Sequence, residues 1–264
     1  MTSSLLYIIT RVAAPRLRIT IKPAASVTEA EFSEIFALYA PAHHASEAEV
    51  RQRLADGLDL MALFRYRVTG QLVGLTGLRA AEVPLPGGQV AYSFYLGLSY
   101  VAPEARGNSL IQLTVLAIYL RYRLRHPLNA VYFWSDAISY KPYLVMCRYL
   151  RRGYPNRRFP TPPTVQALIK ALGQRHYGAQ FDPATGTVRK QYNRLRPDTA
   201  PIRPDDLADP DIRFYAELNP RHAQGDGLIV AAPANLENLW FFLRKKWRSG
   251  KKPVAAGQNA RSVP

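Results

Sequence analysis

Cysteine is nearly absent: Cys147 is the only one in 264 residues, so no intramolecular disulfide can form and no cysteine-based zinc site exists. A reducing compartment, the cytoplasm, is the expected location. Cys147 lies in an apolar helical stretch and reads as a small core residue rather than a nucleophile. Histidine is also sparse; the five present show no ligand spacing such as His-Glu-x-x-His, and no metal is expected. No apolar run approaches the roughly 18 residues of a membrane span. Residues 4–9 are too short for a span and lack a basic flank, so no secretory signal is expected. Arg11, Arg16 and Arg18 precede the first acid, Glu29, as in a transit peptide, but residues 17–21 alternate like a strand. There is no internal repeat.

Acidic residues are scarce as well, 19 against 35 Lys and Arg, which leaves a net charge of +16. Such a surface attracts anions: nucleic acid, anionic lipid headgroups or phosphate-bearing cofactors. The charge is clustered. Residues 244–264 hold seven Lys or Arg and no acid, and Arg148, Arg151, Arg152, Arg157 and Arg158 form a second group. Two patches suggest two anionic partners, or solvated surface. With 48% apolar residues the chain is long and apolar enough for a full core.

Periodicity places the elements. Residues 17–22 alternate as a strand ending at Pro23, and Ser26 to Glu31 supplies caps and early acids for a helix to about Tyr39. Ser46-Glu-Ala-Glu49 opens a second helix to about Ala55. Residues 58–68, 72–83 and 90–101 read as three strands of an antiparallel meander, with Thr69-Gly70-Gln71 as a hairpin turn. Residues 110–124 are a helix apolar on most of its surface, expected to be well buried, and 130–134 a short buried strand reached by that crossover. A helix follows over 140–152 with Gly153 as its C-cap, then a short helix over 164–172. Residues 181–210 read mostly as loop, 211–218 and 227–232 as late strands, and 236–248 as a final helix. The order predicts a mixed α/β (α+β) fold whose mostly antiparallel sheet contains one parallel crossover. Residues 1–160 form its core, 161–248 a C-terminal extension completing the domain, and 249–264 a disordered basic tail.

The stretch Val101-Ala-Pro-Glu-Ala-Arg106-Gly107-Asn108-Ser109-Leu110-Ile111 resembles the main cofactor motif of the GNAT acyl-CoA N-acyltransferase superfamily, in which a strand ends in Val-x-Pro-x-x-Arg-Gly and a glycine-rich loop opens a helix. The family pattern Gln/Arg-x-x-Gly-x-Gly/Ala reads here with Ser109 for the first glycine and Ile111 for Gly/Ala. The resemblance implies acyl-CoA as co-substrate, its pyrophosphate on the turn formed by Arg106, Gly107, Asn108, Ser109 and Leu110. Free N–H groups and the helix dipole favour an anion there, and Arg106 adds a charge-assisted bond. A strand-to-helix turn that binds nothing is the other reading. Tyr149-Leu-Arg-Arg-Gly153-Tyr154 is similar to the family's Tyr-x-x-x-Gly-Phe. The resemblance implies Tyr149 as general acid toward the leaving thiolate, where a lone helical tyrosine is otherwise core or interface. It also implies that the strand before the motif splays from its neighbour, so that Ser99, Tyr100 and Val101 bind the pantetheine arm and offer an N–H to the oxyanion.

An amine acceptor needs a proton acceptor; Asp136, Glu82, His43 and His44 are the candidates. Asp136 ranks first, at the end of the crossover strand, or is the cap of the next helix with Ser135. The segment 236–248 combines Trp240, Phe241 and Trp247 with a cationic end. It either docks on the core or lies at an anionic membrane surface, making a lipid-linked or long-chain substrate and a peripheral location plausible. Nucleic acid is the rival use of the charge, but no binding motif supports it. The expected function is transfer of an acyl group from CoA to an amine; the alternative is a catalytically degenerate GNAT-like module for an anionic partner.

Overall fold

Leu17, Ile19 and Ile21 alternate with polar residues, and strand β1 (Leu17–Pro23) buries the first two. A computed structural model describes residues 14–191, 194–196 and 198–249, with side chains as far as residue 245. Residues 4–9, Arg11, the side chain of Trp247 and the basic tail from residue 250 lie outside the described residues. Capping boxes start the first two helices: Thr28 with Glu31 opens α1 (Glu29–Tyr39), and Ser46 with Glu49 opens α2 (Glu47–Asp56). Each satisfies two amides that a helix start leaves without partners. The two-residue strand β2 (His43–His44) lies between them.

Strands β3 (Leu60–Tyr66), β4 (Leu72–Pro84) and β5 (Val90–Val101) form the antiparallel meander. Helix α3 (Leu110–Arg125) crosses to β6 (Ala130–Ala137), which runs parallel to β5. Then come α4 (Tyr140–Tyr149), α5 (Pro163–Tyr177) and three short strands, β7 (Phe181–Asp182), β8 (Thr187–Val188) and β9 (Arg194–Leu195). Helix α6 (Pro210–Leu218), strand β10 (Gly227–Pro233) and helix α7 (Leu236–Ser249) complete the chain. Eight strands make one sheet in the order β1-β3-β4-β5-β6-β10-β8-β7, with β5–β6 its one parallel pair among the described strands. This is the mixed sheet with a single parallel crossover that the element order predicts. Strand β10 of the C-terminal extension pairs with β6, so core and extension share that sheet.

Two layers cover it. Phe32, Ile35 and Tyr39 of α1, Val50 and Leu54 of α2, and Leu168 and Leu172 of α5 pack on one face against Leu63, Leu75, Trp134 and Ile229. On the other face α3 packs Leu110, Leu113 and Ile118 against Phe64, Phe94 and Phe133, while α4 and α6 pack Met146 and Tyr215 against Leu228 and Val230. Each fully buried Leu or Phe contributes about 1.5–3 kcal/mol.

Several elements differ from expectation. Residues 211–218 are not a strand but helix α6: Asp209 caps it, Pro210 sits at its first position, and Ile212 and Tyr215 share the buried face. Helix α4 stops at Tyr149, because Leu150 turns to extended backbone (φ −116, ψ 147). Gly153 is not its cap; a Cβ there would stand 2.4 Å from the Met146 carbonyl oxygen, so close approach explains the glycine. Helix α5 continues to Tyr177, five residues beyond the expected Leu172. Helix α3 buries one face rather than most of its surface: Leu124 is exposed, and Ile111, Val115 and Leu116 line a chamber.

Candidate active site

Parallel pairing of β5 with β6 ends at Tyr95 and Trp134, yet β5 runs on to Val101 and β6 to Ala137. The two strands therefore part, and the edge of β5 over residues 96–101 has no β6 partner. A bulge sharpens the departure. Between the pairs Gly77–Gly97 and Leu75–Tyr100 strand β5 carries one extra residue, and Leu98 takes a left-handed φ of 48°. The Thr76 and Ser99 hydroxyls, 2.6 Å apart, tie the bulge to β4. A cavity of about 390 Å³ fills the gap, with Ser99, Tyr100, Val101 and Arg106 on one wall and Asp136, Lys141 and Met146 on the other.

The cavity ends at the start of α3. Gly107 takes a φ of 82°, and Ser109, where the family pattern has glycine, still adopts left-handed backbone at φ 56°, ψ 34°. The turn is thus formed without the glycine, at a cost of about 1 kcal/mol. Ser109 makes no side-chain cap, so the side chain leaves the first amides of α3 uncovered. Arg106 donates from Nε to the Val101 carbonyl at 3.0 Å, and Asn108 to the Ala105 carbonyl at 2.9 Å. Lys141 stands near enough to Arg106 that burial first, and the guanidinium second, push its ammonium below the ordinary lysine value. Two cations and a helix N-terminus meet at this end of the cavity, an arrangement whose electrostatics favour negative charge.

At the base of the cavity Asp136 and Lys190 form an ion pair, 8% and 6% exposed. Asp136 belongs to β6 and does not cap α4, whose preceding residue is Ser139. The Tyr95 hydroxyl donates to Asp136 Oδ1 at 2.8 Å, and Arg53 Nη2 donates to the Tyr95 oxygen. Burial alone would raise the Asp136 carboxyl, but Lys190 and Arg53 outweigh it and hold it at about 2. It is a fixed anion with both oxygens engaged. Sequence reasoning missed Arg53, Tyr95 and Lys190, because they come from α2, β5 and the loop after β8.

His43 also lines the cavity, stacked on Tyr39 with ring centroids 3.7 Å apart. Its Nδ1 lies 3.0 Å from the Tyr39 carbonyl oxygen. A carbonyl only accepts, so Nδ1 carries the hydrogen and Nε2 keeps its lone pair. Burial, helped by Arg53 and Lys190, pulls His43 down to about 4, and the ring is neutral at pH 7. His44 is exposed outside the cavity. Glu82 lies at the other end of the meander, paired across the sheet with Tyr92, whose hydroxyl it accepts.

Tyr149 does not line this cavity. It is 43% exposed and borders an adjoining apolar chamber of about 120 Å³ between α3, α4 and α7, with the Lys245 ammonium 4.3 Å from its ring centre. The chamber shares Leu96, Ile111, Gln112, Val145 and Met146 with the cleft, so the two lie side by side. Ile111 thus adds an apolar wall at their junction. On the opposite face of the sheet a cavity of about 490 Å³ shares Arg53, Tyr95, Leu98 and Lys190 with the cleft. These four residues form a wall common to the two cavities, beside the point where β5 and β6 part.

The arginine cluster is spent internally. Arg148, Arg157 and Arg158 converge on the buried Asp211, Arg148 also reaching Asp209, and Arg151 and Arg152 pair with Glu237. These contacts clamp α4 and its following loop to α6 and α7. Among the described residues no helix is long and apolar enough to cross a membrane, and no three His, Cys, Asp or Glu side chains form a metal-holding group.

No protein-family model and no curated protein matches the chain. Solved structures match over part of it, several of them N-acetyltransferases or N-acyltransferases. A protein from Enterococcus faecalis described as a probable N-acyltransferase is 18% identical, with a TM-score of 0.36 over 48% of this chain and 30% of that one. A GNAT family N-acetyltransferase from Escherichia coli, in complex with CoA, is 19% identical with a TM-score of 0.33 over 46% and 63%. The N-myristoyltransferase of Saccharomyces cerevisiae with bound myristoyl-CoA is 11% identical with a TM-score of 0.34 over 44% and 30%. The chain thus spans less than two thirds of each of these three proteins.

Proposed function

We propose that the chain is an acyl-CoA-dependent N-acyltransferase in which the amine attacks the thioester directly. One observation carries the reading: β5 and β6 part after Tyr95 and Trp134, directly beside the uncovered, cation-flanked start of α3. The pyrophosphate would sit on residues 106–110 with Arg106 and Lys141, and the pantetheine arm would run along the free edge of β5. A main-chain N–H within Ser99 to Val101 would steady the oxyanion. As the C–N bond forms, the amine proton passes to Nε2 of His43; as the C–S bond breaks, Tyr149, at the neighbouring chamber, protonates the thiolate. Asp136 serves as a positioning anion for Lys190 and Tyr95 rather than as the base.

A thermal-shift series with CoA and acyl-CoAs of rising chain length tests this. A ligand at 100 times its Kd stabilises by about 2.7 kcal/mol. No stabilisation by any member sinks the transferase and leaves the degenerate binding module. Tyr149→Phe should lower turnover far more than acyl-CoA affinity; an unchanged rate removes it from the mechanism.

A second reading concerns α7. The helix docks Phe242 and Leu239 on the core but leaves Leu236, Trp240 and Leu243 exposed at 74%, 68% and 44%, with Arg244 exposed beside them. That stripe fits a peripheral, anionic membrane contact. Vesicles with anionic lipid should retain the protein and lose the double variant Trp240→Ala, Leu243→Ala; equal retention discards the contact.

A further inference from the structure

Buried Lys190 and half-buried Arg53 face one buried anion, Asp136, beside the point where β5 and β6 part. Asp136 has both oxygens taken, by Tyr95 and by Lys190. Arg53 feels that anion only at a distance: no carboxylate among the described residues lies within ion-pair reach of it, and its Nη1 is buried with no hydrogen-bond partner. A buried guanidinium donor left unmatched costs free energy that an incoming acceptor oxygen would recover. Arg53 lines both the cleft and the 490 Å³ cavity beyond it. Arg79 lines that cavity too, likewise without a paired carboxylate; its Nε holds the Gly57 carbonyl and its Nη1 lies 3.4 Å from His176 Nδ1. Glu49 and Asp56 also border it: Asp56 is exposed, and Glu49 is engaged in the Ser46 capping box. Of the charged residues on its wall, Arg53, Arg79 and Lys190 outnumber Glu49 and Asp56.

We propose that the acceptor is a small amine bearing a carboxylate, of the amino-acid class, which enters from the α1–α2–α5 face and sets its carboxylate on Arg53. The inference rests on the acyltransferase reading and gives its acceptor a chemistry. Arg53, Tyr95, Leu98 and Lys190 are shared by the two cavities, so a carboxylate held on Arg53 puts the amine at the mouth of the cleft, where His43 and the edge of β5 meet. A guanidinium matches a carboxylate in plane through two N–H bonds. Cationic amines such as polyamines would be repelled by Arg53, Arg79 and Lys190.

The test uses the full chain and product-like probes: the N-acetylated proteinogenic amino acids, each beside its primary amide, titrated by thermal shift and calorimetry with and without saturating CoA. At least one acid should bind at least tenfold more tightly than its amide. Arg53→Gln should weaken that acid tenfold or more and abolish its preference over the amide; Arg53→Lys, which keeps charge but not the planar fork, should fall between. Stabilisation of each variant by acyl-CoA checks that it folds, and should a variant fail to fold, the acid–amide comparison on the native chain still decides. Acids and amides binding alike, no acid binding at all, or an Arg53→Gln chain that keeps its preference overturns the seat. Acyl-CoA binding without acid preference removes the seat and keeps the transferase; acid preference without any acyl-CoA binding does the reverse.

Discussion

Replacing Asp136 by Asn keeps its volume and one acceptor but deletes the only negative charge among Lys190, Arg53 and Tyr95. Removing one partner of a buried pair costs about 3–5 kcal/mol. A ceiling comes from the chain's escape route: Lys190, 6% exposed, can lose its proton. Driving a lysine from about 10.4 to about 7 costs roughly 4.6 kcal/mol at 1.36 kcal/mol per unit, so the two figures agree. For a chain of this size about 4 kcal/mol corresponds to a fall of roughly 8–16 °C in Tm. Lys190→Met is expected to cost less, because Arg53 still faces the carboxylate and the cluster becomes one cation to one anion. The double variant should be more stable than Asp136→Asn alone. Urea unfolding followed by circular dichroism at pH 7 measures all four corners of the cycle. An Asp136→Asn loss under about 1 kcal/mol, or Lys190→Met being the worse of the two, refutes the picture of two cations sharing one anion.

His43 and His176 are both pulled down to about 4, chiefly by burial. Between about pH 6.5 and 4 the unfolded chain binds protons that the folded chain refuses, so stability falls as pH falls through that window. From pH 7 to 5 His43 alone should cost about 2 kcal/mol, and His43→Gln should flatten the urea midpoint against pH. At Ser109, φ 56°, glycine should be neutral or stabilising by up to about 1 kcal/mol, whereas Ser109→Val should destabilise by about 1–2 kcal/mol; equal Tm values for the two would deny that the turn is strained. Gly153→Ala places a Cβ 2.4 Å from the Met146 carbonyl oxygen and should cost about 1–3 kcal/mol in urea unfolding.

What the sequence alone determined is local. Period-two alternation in residues 17–22, the Ser46–Glu49 capping box and the Gly70 hairpin each carry their conformation within a few residues, and the structure forms β1, α2 and the β3–β4 turn there. The order of those elements was enough to imply the single parallel crossover. Where local signals competed, the sequence misled: Ile212, Phe214 and Ala216 alternate like a strand, but Asp209 and Pro210 start a helix that buries Ile212 and Tyr215. Gly153 looked like a cap, and only the approach of the Met146 carbonyl explains it.

The candidate site divides the same way. The turn over residues 106–110 was legible because a strand end and a helix start are neighbours in sequence, and its left-handed Ser109 keeps the shape that glycine would supply. The charge cluster was not legible. Arg53, Tyr95, Asp136 and Lys190 are as much as 137 positions apart in the chain, and the sheet brings them together only because β5 and β6 part after Tyr95. Likewise the basic run 148–158 read as a surface for anions, until Asp209, Asp211 and Glu237 arrived from distant elements to neutralise it. Backbone preference is settled by near neighbours and can be read from the chain; the pairing of buried charges depends on which elements pack together, and the tertiary structure alone decided it.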